Sequence, residues 1–371
     1  MVCLLILGSL IIYKMFSSFE IEFFPNGRPA LDIYKIMVQM IEDYGNDMDE
    51  IELEDLKIVY DNKLKEANEF FSNNKDFNDL GIYSYEDYEY KNSSDTVDQK
   101  FEDTKWNYLL ERKEGNVLWE LQELPNIIEF YENRNNRYSV NEGFKKYDER
   151  INEIITNREN ESILSKIVFD NYNNLIKYFG ICIIIGIAFM LTPVFLKDKK
   201  DKIDCLQYAS KHGRKLFKSK LVAEVISTLI ITTIELIILF ILYGGNNTSM
   251  FFKSNINSVF NDEFWVNITF IQYIGLTVVG IYVIGVITAF ISMFISSKAN
   301  TYIASIGMQV LSLFIIVGLT VTILLNALFI IYIPKYLAFI IYLALIVITV
   351  LIIITSSKKE KITDINNESR I

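Results

Sequence analysis

KDKKDKIDCLQYASKHGRKLFKSK, residues 197–220, carries nine lysines and arginines in 24 positions and lies between two long apolar runs. A basic connection between two membrane-length apolar segments belongs on the cytoplasmic side of a bilayer, because flanking Lys and Arg set orientation. The rest of the topology follows from that assignment.

Working outward, apolar stretches at 176–196, 221–243, 268–296, 303–330 and 336–355 are each long enough to cross a hydrocarbon layer of about 30 Å at about 1.5 Å per residue. The opening MVCLLILGSLIIYKMF lacks the basic start and small-residue cleavage site of a signal peptide. It reads as a membrane anchor with a clipped start, Lys14 reaching back to the interface. The expected fold is therefore an all-α polytopic membrane protein of six transmembrane helices, with a mainly helical extracytoplasmic domain. The divisions are 1–17 (first span), 18–172 (extracytoplasmic domain), 173–196 (second span), 197–220 (cytoplasmic segment), 221–355 (spans three to six) and 356–371 (cytoplasmic tail). The tail's Lys358, Lys359, Lys361 and Arg370 agree with an inside location.

Charge is segregated along the chain. Residues 18–172 hold 18 basic and 36 acidic residues, a net charge of −18 within a total of −10, so the remainder is net +8. An acidic domain joined to a basic-edged membrane portion lacks the concentrated basic face that nucleic-acid binding requires. The three cysteines, Cys3, Cys182 and Cys205, lie outside 18–172, so that domain has to bury a core without a disulfide. Ile33, Ile36, Met37, Met40 and Ile41, then Ile51, Leu53, Leu56, Val59, Leu64 and Ala67, follow a helical period. Pro25, Pro29 and Pro125 are expected to mark breaks. GIYSYEDYEYKN, residues 81–92, is expected to be a short strand or an aromatic loop. Leu164, Val168, Tyr172, Leu175 and Phe179 predict one helix running into the second span.

Candidate chemistry is sparse. The chain contains no GxxxxGK[ST], HExxH or CxxC, and His212 is its single histidine, so no nucleotide, metal, cofactor or catalytic site is expected. Glu235 lies well inside an apolar run, and an intramembrane carboxylate is a functional candidate because burying it alone is costly. The alternatives are that it bonds to hydroxyls such as Thr232 or sits near the outer interface. Glu224 is one turn from Lys220 and is expected to pair with it. Gly285 and Ala289, with Ser292 nearby, allow close helix contact, more simply within this chain than with a second copy.

A first span, a large outer insertion, a second span and then FLKDKKDKIDCLQYASKHGRKLFKSK at 195–220 together resemble the ABC-2 type permease family. In that family a short amphipathic coupling helix, an [ST]-x-x-G-R turn and a Lys lead into the next span. Ser210, Gly213, Arg214 and Lys220 match this pattern, and Ile203 and Leu206 supply the apolar face. The motif covers about 30 residues; the KDKKDK run replaces the acidic residue and glycine usually found ahead of the coupling helix, and the N-terminal cytoplasmic elbow is absent. The resemblance implies a permease subunit without enzymatic activity of its own, exporting or extruding a substrate. A separate cytoplasmic ABC ATPase would dock on 197–220, and a second permease copy or homologue would complete the pore. Competing readings are a membrane-anchored sensor, a four-span ABC export protein acting through its outer domain, and a multi-pass enzyme. The short tail, the extra spans and the scattered carboxylates count against them in turn.

Overall fold

The computed structural model describes residues 8, 30–94, 98–111, 115–136, 147–201, 203, 216–326 and 328–362. Among these the chain is helical, with two isolated β-bridges, Asp47 to Ser162 and Asn255 to Thr269, and no named strand. The helices are α1 (Ala30–Tyr44), α2 (Glu50–Asn73), α3 (Lys75–Asn78), α4 (Tyr85–Asn92), α5 (Gln99–Glu111), α6 (Asn116–Glu132) and α7 (Asp148–Thr156). They continue with α8 (Lys166–Leu191), α9 (Pro193–Lys200), α10 (Leu216–Tyr243), α11 (Phe270–Lys298), α12 (Tyr302–Leu319) and α13 (Leu337–Ile362). They divide into two units: Ser18–Asp170 with Thr248–Ile271, and Met1–Ser17 with Asn171–Asn247 and Gln272–Ile371.

In the first unit, local sequence signals start the helices and aromatic burial holds them. Asp49 caps α2 by accepting from Ile51 N at 2.7 Å, while Glu52 Oε2 accepts from Asp49 N at 2.6 Å, a reciprocal box that satisfies free N–H groups of the first turn. Ser84 and Asp87 repeat the device at α4. This box makes residues 85–92 a helix where a strand or loop was expected, with Tyr85 and Tyr88 buried on one face and Tyr83 and Tyr90 exposed. The core beneath is a ring cluster, with Phe71 against Phe77 at 5.0 Å and 89°, and Phe77 against Tyr108 at 5.1 Å.

Pro125 lies within α6 and does not end it, contrary to the expected break. A proline inside a helix removes one backbone bond at about 3 kcal/mol. The same helix buries Leu121, Leu124 and Ile127 among others, each contributing about 1.5–3 kcal/mol, so tertiary burial prevails. In α2, Leu53, Leu56 and Ala67 are buried as the period predicts, but Ile51, at its first turn, points outward.

The segment Thr248–Ile271, read from the sequence as a simple connection between spans, belongs to this same unit. Asn46 Nδ2 donates to Met250 O at 2.7 Å, and Lys166 N donates to Phe260 O at 3.0 Å. Arg150 and Glu159 form a buried bidentate pair, whose Arg150 Nε also donates to Phe264 O at 2.9 Å and whose Glu159 Oε2 accepts from Asn257 Nδ2 at 2.7 Å.

The second unit is a helical bundle. Five helical segments among the described residues are long and apolar enough to cross a bilayer: Lys166–Lys200, Phe217–Asn246, Phe270–Lys298, Tyr302–Leu324 and Leu337–Lys358. The shortest, 22 residues, spans about 33 Å. The chain is thus an all-α polytopic membrane protein. The expected first span lies outside the described residues except for Gly8, and the expected span to residue 330 stops at Leu324, where a π-helical turn, Thr320–Leu324, ends it. Leu164, Val168, Tyr172, Leu175 and Phe179 are all buried, and Lys166–Leu191 is one continuous helix as expected.

Polar side chains join the spans where close contact is possible. Tyr172 shares a hydrogen bond with Thr277 at 2.5 Å, Thr192 one with Gln309 at 2.8 Å, and Ser296 donates to Thr192 O at 2.8 Å. By contrast α12 and α13 turn large apolar side chains outward, Ile303 and Phe314 being 85% and 75% exposed. Apolar surface on that scale is what lipid covers.

Candidate functional site

Of the residues matched to the coupling pattern, Leu206, Ser210, Gly213 and Arg214 lie outside the described residues; Ile203 is exposed, and Lys220 is fully placed. Both ends of the basic segment are anchored. At its start, Lys199 Nζ donates to Ser297 O at 2.7 Å and Ala299 O at 3.1 Å, in the connection between α11 and α12. At its end, Lys220 forms an ion pair with Asp198 and sits 4.6 Å from the Phe195 ring centroid. Ion pairing and the cation–π contact reinforce one another because both are partly screened from water. The termini of α9, α10 and α11 therefore meet beside the segment.

Lys220 is drawn to Asp198 and not to Glu224, so the expected helical-turn pair gives way to a contact 22 residues away. Neither oxygen of the buried Glu224 has a hydrogen-bond partner. Four residues on comes Thr228, four more Thr232, then Glu235, all 90% or more buried. At 100° per residue these four fall within an arc of about 80° on one face of α10. The hydroxyls of Thr228 and Thr232 and Oε2 of Glu235 are also unpartnered. Of the alternatives for Glu235, the bond to Thr232 is not formed.

The two threonines stand apart from the others in the spans. Thr192, Thr233, Thr288, Thr320, Thr322, Thr349 and Thr355 each donate to the carbonyl four residues back, the usual resting place for a hydroxyl in a helix. Thr228 and Thr232 do not; they face α11 at Gly285, where an added Cβ would lie 3.6 Å from Thr232 Oγ1 and 3.2 Å from Ile187 Cδ1. The small-residue position expected to allow helix contact thus seats α10 and α8 against α11.

Glu235 borders a cavity of about 30 Å³ with Gly8, Phe179, Cys182, Ile187 and Ile231. Gly8 lies directly against the Glu235 carboxylate, and a Cβ at that position would make the carboxylate swing aside. Spacing in the sequence could have joined Glu224, Thr228, Thr232 and Glu235 into one face; only the packed structure shows that their polar atoms lack partners. Among the described residues no cluster of three His, Cys, Asp or Glu could hold a metal ion.

No family model, curated protein or solved structure matches this chain.

Proposed function

We propose that this chain is the permease subunit of an ABC transporter in a bacterial plasma membrane, moving a peptide, antibiotic, lipid or ion with energy from a separate cytoplasmic ATPase. The observation that carries the reading is the anchoring of both ends of residues 197–220. Lys199 ties the segment's start to the α11–α12 connection, and Lys220 ties its end to Asp198 and Phe195. A partner pressing on a segment held in this way would load three helix ends at once, which is what a coupling element has to do. Ile203, exposed at the start of the segment, and Leu206 supply apolar contact, while Arg214 and its neighbouring lysines favour an acidic docking cleft. The acidic outer domain and the absence of a nucleotide motif fit a chain that draws its energy from a partner.

Affinity purification of the detergent-extracted chain from its native membrane should bring down an ATP-hydrolysing subunit. The triple substitution Ile203→Asp, Leu206→Asp, Arg214→Glu should release that subunit while leaving the bundle folded. Retention of the subunit by the triple variant would falsify docking at this segment.

A further inference from the structure

The buried face of α10 holds four oxygen-bearing side chains that nothing in the coupling scheme uses. Glu224, Thr228, Thr232 and Glu235 present two carboxylates and two hydroxyls, with unpartnered oxygens on every one of them. A buried polar atom left without a hydrogen bond costs about 1–3 kcal/mol, and eight other membrane threonines avoid that cost through their own helix backbone. The arrangement offers hydrogen-bond acceptors and two groups able to ionise, so its ligand is a cation or a proton. Size and ligand count decide between them. The cavity at Glu235 is about 30 Å³, room for one or two waters, and among the described residues its lining apart from that carboxylate is glycine, cysteine and hydrocarbon. A calcium-like ion would need 6–8 oxygens; a proton needs one.

We propose that this face of α10 is a proton-carrying lane, with Glu235 and Glu224 as its two proton-binding groups and Thr228 and Thr232 as relay hydroxyls between them. Successive groups are three or four residues apart, a rise of about 5–6 Å, so a proton passes between them when a water enters the face transiently or a side chain swings toward its neighbour. A hydroxyl both donates and accepts, so it can pass a proton on while receiving another. Hydronium gives its proton to a carboxylate oxygen and leaves as water; each later transfer breaks one O–H bond as the next forms, and no electrons are lost or gained. The titratable group facing Glu235 from α8 is Cys182; the charged residue one turn before Glu224 on α10 is Lys220, which Asp198 engages. Thr228 and Thr232 face Gly285 and Ile187, which bring no charge. The lane does not depend on ATPase docking and stands or falls separately.

Infrared difference spectra of the full chain in nanodiscs, taken between acid and alkaline pH, test it. Two carboxylic-acid carbonyl bands should appear as pH falls, one deleted by Glu235→Gln and the other by Glu224→Gln, both near-isosteric changes. The pair Thr228→Val and Thr232→Val should keep the bands but slow their exchange with deuterium several-fold. Bands that never change with pH would make the carboxyls fixed structural groups, and bands that respond to sodium at constant pH would make this a metal-ion site; either result overturns the proposal. Wild-type exchange in the double valine variant would overturn the relay.

Discussion

Arg150 and Glu159 show what a single residue pair does in the unit built from Ser18–Asp170 and Thr248–Ile271. Their side chains are 5% and 1% exposed, and the pair reaches both Phe264 O and Asn257 Nδ2, so it fastens the 248–271 segment to α7 and the turn after it. Taking one partner away leaves a desolvated charge, a loss of about 3–5 kcal/mol, whereas replacing both with apolar residues of like volume is far milder. Thermal unfolding of the purified chain should therefore show Glu159→Leu and Arg150→Met each strongly destabilised and the double variant closer to wild type. Singles that melt like wild type would mean the pair is not dry. The tyrosines of 81–92 belong to the same scale: Ser84 and Asp87 supply a cap legible in the sequence, but the pairs Tyr83/Tyr85 and Tyr88/Tyr90 hid it by suggesting alternation.

At the scale of elements, α6 runs through Pro125 because its buried face outweighs one missing backbone bond. Pro125→Ala restores the N–H, and at an interior helical position that change is worth up to about 3 kcal/mol, reduced by the greater freedom alanine gives the unfolded chain. The variant should raise the unfolding midpoint of the full chain; a lowered midpoint would show that the proline ring itself packs usefully. The spans obey composition more closely than α6 does, since a bilayer requires every backbone group to bond within its own helix. Their ends were less legible, as the π turn after α12 shows, because termini are chosen by neighbouring side chains. Tyr342, for one, donates to Leu324 O at 2.9 Å.

For the whole molecule, topology is the property with the widest consequence. Residues 18–170 and 248–271 fold into one unit and are therefore expected on the same side of the membrane, while Lys199 joins the end of α9 to the end of α11 and the α11–α12 connection. The positive-inside rule makes the expected arrangement the first pair outside and the second inside. In a background lacking Cys3, Cys182 and Cys205, an impermeant thiol reagent should label cysteines introduced at Ser94 and Lys253 in intact cells and spare one at Ser357. Labelling only at 357 would invert the orientation and remove the permease reading with it.

Length and apolarity alone determined that this is an all-helical membrane protein, and the segregation of charge determined that one acidic region stands apart from the spans. Those properties are sums over many residues, so no single contact can reverse them. Tertiary structure alone decided that 248–271 joins the 18–170 unit, that Lys220 takes Asp198 over Glu224, and that Glu224, Thr228, Thr232 and Glu235 are buried with oxygens left unpartnered. Pairings of this kind depend on which distant groups packing brings within hydrogen-bond reach, and spacing along a helix reports only the groups one or two turns away.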